Sequence, residues 1–127
     1  MDARRPGLLL LVVALLAAAP LAVASADARR PQTTSVGVSA REYRFAAYRT
    51  SVPKGLVRFN VANYGEDAHD LVVKTRDGRD VGRTGELRSG KRTTLQVRLR
   101  PGTYRLVCDL ADHEVRGMRT TFRVTRR

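Results

Sequence analysis

The only cysteine of the chain, one of its two histidines and its only methionine besides the initiator share one short stretch, CDLADHEVRGM, residues 108–118. Cys108 is followed by His113 five residues on, and by Met118 five further. A thiol, an imidazole and a thioether are donors that a soft transition metal takes. Each residue alone has a plainer reading. A lone buried cysteine packs as a small hydrophobe, and a lone histidine is an ordinary polar residue. The second histidine, His69, is the residue that could turn three neighbours into a site.

Elements must exist that bring His69 to the 108–118 stretch. Period-two alternation supplies them. In LVRFNVAN, Val57, Phe59 and Val61 share a face opposite Arg58 and Asn60. In TTLQVRL, Leu95, Val97 and Leu99 face one way, and Thr94, Gln96 and Arg98 the other. TYRLVC groups Tyr104, Leu106 and Cys108, and TFRVT groups Phe122 and Val124. VGVSA and EYRFAAY read as two strands with a break in phase near Arg41, and HDLVVKT as another. This alternation predicts antiparallel sheet with one wet side. Pro53-Lys54-Gly55, Asp77-Gly78 and Pro101-Gly102 punctuate it as turns. Residues 76–92, with Gly78, Gly82, Gly85 and Gly90, predict a long connection with room for one short strand. No amphipathic helix and no repeat is visible. About seven short strands in roughly 100 residues predict an all-β sandwich.

Phase then places the donors. His69 aligns with Leu71 and Val73, and Cys108 with Tyr104 and Leu106, so both point inward at strand ends. If those ends share one pole, the loop after Cys108 delivers His113 and Met118 to the same place. Two His, one Cys and a weak axial Met form the donor set of a blue-copper centre. Zinc is the chemical rival, but structural zinc takes four strong ligands, and a Met favours copper. A metal-free interaction module is a third reading, which requires the four-residue coincidence to be meaningless.

These residues carry a resemblance. The chain is similar to the small cupredoxins of plastocyanin and azurin type. The likeness lies in Gly55-LVRFNVAN followed by Tyr64-Gly65 and HDLVV from His69, in PGTYRLVCDLADHEVRGM, and in the closing strand RTTFRV. It spans about residues 34–125. The resemblance implies a Greek-key β-sandwich of about seven to eight strands and one copper ion on His69, Cys108, His113 and Met118. Two positions depart from the family pattern. Asp70 stands where Asn usually follows the first ligand His and locks the ligand loops, and Ala111-Asp112 stands where many relatives carry Pro-Gly. Six acids, Glu66, Asp67, Asp70, Asp109, Asp112 and Glu114, lie close in sequence to the expected ligands and predict an acidic pole that attracts copper ions or a basic partner.

Residues 1–26 open with Arg4 and Arg5, continue with an apolar run from Gly7 to Ala24 and end Ala24-Ser25-Ala26. That is the pattern of a secretory signal peptide cleaved after Ala26, with a retained membrane anchor as the rival. Pro6 and Gly7 fit a twin-arginine signal poorly, and the export route stays open. A flexible leader is expected over 27–33 and one domain over 34–127. Without residues 1–26 the chain keeps 22 basic and 11 acidic residues. Over the full sequence Arg outnumbers Lys 21 to 3 and the charges are dispersed, which reads as compositional bias rather than nucleic-acid binding. One Cys permits no internal disulfide or binuclear copper centre, and two His cannot furnish the extra coppers of a multicopper oxidase. The expected protein is a monomeric, exported one-electron carrier cycling Cu(I)/Cu(II), not an enzyme, that meets a redox partner through His113. The alternative is a copper chaperone or buffer, exchanging metal with a donor or acceptor protein through the same ligands.

Overall fold

A computed structural model describes residues 32–127. The signal-peptide reading of 1–26 and most of the leader lie outside the described residues. Nine strands follow in order: β1 (Thr33–Arg41), β2 (Arg44–Ala47), β3 (Ser51–Pro53), β4 (Gly55–Asn63), β5 (Val72–Thr75), β6 (Asp80–Arg83), β7 (Arg92–Leu99), β8 (Gly102–Val107) and β9 (Arg119–Thr125). They form two sheets, ordered β2-β1-β4-β7 and β3-β9-β8-β5-β6. The all-β sandwich is as expected, but the pairing is mixed: β1 runs parallel to β4, and β3 to β9. Alternation reports which face a residue takes, not which way its neighbour runs, so the parallel pairs leave no trace in the pattern.

The inward faces meet in one core. Val36, Val57, Phe59, Leu71, Leu106 and Phe122 are fully buried. Phe59 of one sheet meets Phe122 of the other edge-to-face, with ring centroids 5.2 Å apart. Each such side chain contributes about 1.5–3 kcal/mol through its removal from water. Val72 and Val107, paired in register on the outer face of the second sheet, are also fully buried. Their other register partners are Arg83 and Arg119, whose long stems can cover apolar surface.

Topology fixes where the site falls. β5 and β9 both pair antiparallel with β8, so the start of β5, the end of β8 and the start of β9 lie together. His69 precedes β5, Cys108 follows β8, and Met118 precedes β9. The long connection of 76–92 does more than link strands. Its Leu87 exchanges two backbone hydrogen bonds with His69, at 3.0 and 2.7 Å, and Thr84 does the same for Leu71 through its backbone N–H and its hydroxyl.

Candidate metal centre

The structure brings three of the four predicted donors together. One ligand atom each of His69, Cys108 and His113 lies within 4.8 Å of the other two, and all three residues are buried. The two Nδ1 atoms are 3.2 Å apart, and Cys108 Sγ lies 3.5 Å from His113 Nδ1. His69 is 1% exposed, Cys108 0% and His113 7%. Met118, the fourth, is fully buried and bound into the same loop by its backbone. Its N–H donates to His113 O at 2.9 Å, and its carbonyl accepts from Cys108 N–H at 3.1 Å.

The loop between these donors folds on itself. His113 N–H donates to Leu110 O at 3.1 Å, Arg116 N–H to Asp112 O at 3.0 Å, and Gly117 N–H to Glu114 O at 3.0 Å. Gly117 has φ +107°, a conformation that side chains disfavour. Ala111 has φ +46°, in the left-handed region, at one of the two positions that depart from the family pattern. A residue with a Cβ is held there at a cost of about 1–2 kcal/mol.

The Asp70 departure does not dissolve the lock. Asp70 Oδ1 accepts Asp109 N–H at 2.8 Å, and Asp70 N–H points to Cys108 Sγ at 3.5 Å. A carboxylate fills the acceptor role and ties the two ligand segments together. Asn63 clamps the approach to His69 from the other side. Buried at 1% exposure, it donates to Asp67 O and Leu87 O and accepts Gly65 N–H, at 2.7, 2.8 and 2.8 Å.

The acidic pole largely dissolves into local pairs. Asp109 meets Lys74 and Arg83, Asp112 meets Arg116, and Glu114 meets Arg105. Arg116 beside Asp112 holds that carboxyl below its ordinary value. Asp70 is buried on backbone. Sequence proximity counted the acids and missed the arginines that fold back onto them.

Two side chains that touch the imidazoles escaped the sequence reading, and both come from the turn between β1 and β2. Glu42 Oε1 lies 3.1 Å from His69 Nε2 and accepts Asp67 N–H at 2.8 Å. Its carboxyl is held down to about 2, chiefly by the N–H of Asp67. Tyr43 packs edge-to-face on His113, with centroids 4.9 Å apart, while Arg116 lies over the tyrosine ring at 4.7 Å. The break in phase near Arg41 was the one available signal, and it marked a turn without saying what the turn touches.

Without a metal, the buried sulfur stays a neutral thiol. Burial pushes the Cys108 thiol up to about 11, and the nearby Asp70 carboxylate adds to the effect against backbone N–H groups that oppose it. A bound cation replaces that proton and makes the thiolate stable. The 3.2 Å between the ring nitrogens suits two imidazoles on one first-row ion, whose bonds to nitrogen run about 2 Å. Three strong donors closed to water, two borderline and one soft, fit a single copper ion better than a four-ligand zinc site.

A small two-sheet sandwich with one such centre at its end falls in the class of mononuclear copper proteins. Comparison by sequence gives the family: the chain belongs to the cupredoxin-like domain family, whose model matches residues 8–120. Solved structures agree on the fold. Auracyanin B superposes with a TM-score of 0.65 at 23% identity, over 75% of this chain and 90% of that one. Rusticyanin from Thiobacillus ferrooxidans gives 0.64 at 19%, over 73% and 77%. Auracyanin A, a blue copper protein of the green thermophilic photosynthetic bacterium Chloroflexus aurantiacus, gives 0.62 at 13%, over 74% and 100%. No curated protein matches the chain by sequence.

Proposed function

We propose that the protein is an exported one-electron carrier, in which His69, Cys108 and His113 would hold one copper ion, with Met118 as a weaker fourth donor. The observation that carries this reading is the convergence of three buried donors from separate segments. Bound there, copper supplies a Cu(II)/Cu(I) couple and a thiolate charge-transfer absorption. The protein supplies rigidity. Backbone bonds from Cys108 to Met118 and from Met118 to His113 hold the loop in one shape, so little has to move when an electron arrives. Of the two imidazoles, His113 is the more exposed, 7% against 1%, and is the route by which electrons leave toward a partner protein. Exposed Val115, two residues on, lies in the same loop.

Copper trafficking uses the same ligands. A chaperone, however, works best with donors that an acceptor protein can reach, and Cys108 at 0% exposure supports the carrier reading instead. Nothing in the site calls for an open substrate position. The experiment is to add Cu(II) to the purified protein and record visible absorption and voltammetry. An intense band lost in Cys108→Ser, with a reversible one-electron wave, is expected. A colourless protein that prefers zinc would overturn the proposal.

A further inference from the structure

His69 is held at both ring nitrogens, and only one of them faces the donor cluster. Nδ1 lies 3.2 Å from His113 Nδ1, while Nε2 lies 3.1 Å from Glu42 Oε1. An ionised carboxylate can only accept, so the proton between them sits on Nε2. With the imidazole neutral, that leaves Nδ1 with its lone pair directed at the centre. With both rings neutral in the metal-free protein, His113 Nδ1–H is then the donor to His69 Nδ1.

The Glu42 contact is built into the fold. The same Oε1 accepts Asp67 N–H at 2.8 Å, two residues before His69. Gly65 leaves the room that the carboxylate occupies: a Cβ there would run into Oε1 and stand 2.7 Å from the carboxyl carbon. Asn63 in turn fixes Gly65 and Asp67 by their backbones. The acid therefore enters from a turn of the first sheet, through a gap that a glycine keeps open, onto the ligand that leads into β5 of the second sheet.

We propose that Glu42 is a positioning residue of the centre, which fixes His69 as the Nε2–H tautomer, aims Nδ1 at the ion and strengthens it as a donor to the oxidised metal. The proposal rests on the copper reading above. Its physical basis is general. A carboxylate on the far nitrogen of a ligating imidazole orients the ring and raises its basicity, and loss of such a partner costs about 10–100-fold in metal affinity. A doubly charged ion gains more from that negative partner than a singly charged one. Glu42 thus holds the reduction potential down.

Two variants and two readouts test it. Glu42→Gln keeps an oxygen for His69 and Asp67 but removes the charge; Glu42→Ala removes both. In the metal-free protein, nitrogen chemical shifts above the imidazole titration range should show His69 as Nε2–H in the wild type and as a mixture in Glu42→Ala. In the copper-loaded protein, the thiolate band should persist in Glu42→Gln while the midpoint potential rises, by about 59 mV for each tenfold loss of Cu(II) relative to Cu(I) binding. A far-ultraviolet spectrum like the wild type's establishes that each variant is folded. An unchanged His69 tautomer in folded Glu42→Ala, or an unchanged potential in Glu42→Gln, overturns the role. A wild-type protein without the thiolate band would instead defeat the copper reading, an outcome separable from the tautomer result.

Discussion

Cys108 is a core residue as well as a donor, and that dual position has a measurable consequence. The folded thiol holds its proton up to about 11. The unfolded chain releases it near the ordinary value of 9.0. Between these values the unfolded state binds fewer protons than the folded one, so rising pH favours unfolding. The metal-free protein should lose stability as pH climbs from about 9 to about 11. Urea melts across that window, compared with Cys108→Ala, isolate the effect; the same slope in both proteins would exclude the thiol as its source. The copper-loaded protein should lack this loss, because its sulfur is already deprotonated. Residue type was also what made the ligands legible. Cysteine, histidine and methionine are scarce in this chain, so each occurrence carried information. Glu42 was one acid among 12, and nothing local to it distinguished it.

At the scale of elements, the strands were readable and the segments between them only partly so. β4, β7, β8 and β9 follow the alternation of their sequences, because each has one face against the core. His69 kept the predicted inward phase, although it lies in an isolated bridge to Leu87 rather than in β5 itself. The segment around Leu87 has no apolar period; Leu87 itself is buried in the core, but sequence pattern is blind to the pairing of its backbone with His69. Asn63 shows how much the intervening loops depend on such bonding. Replacing it by Ala strands Gly65 N–H and the carbonyl of Asp67, and leaves the Leu87 carbonyl with the His69 N–H as its partner. The expected cost is about 1–3 kcal/mol in denaturant melts, with weaker copper binding as the loop before His69 loosens. Ala111 makes the opposite case. Ala111→Gly should relieve the left-handed backbone and raise stability by about 1 kcal/mol, less whatever Gly costs in the unfolded chain. A melt showing marked destabilisation would contradict the strain argument.

For the molecule as a whole, the metal site and the core are one packing problem. The donors come from one end of the β5-β8-β9 sheet, and the residues that back the imidazoles, Glu42 and Tyr43, come from the β1–β2 turn of the other. Phe59 and Phe122 sit where the two sheets press together. Phe122→Ala should cost about 3–5 kcal/mol in a denaturant melt, a large part of what a domain this size has to spare. A loss well under 1 kcal/mol would mean that the sheets are held chiefly elsewhere.

The division of labour between the sheets has a further consequence. On the role proposed for Glu42, the colour and the fine setting of the potential draw on different halves of the molecule. The thiolate that gives the absorption belongs to the sheet that binds the ion, so the hue survives small slips between the layers. The fine setting of the couple depends on a turn that reaches across from the opposite layer. A change deep in the sandwich, far from any ligand, can therefore retune the protein as an electrical component while leaving it the same shade.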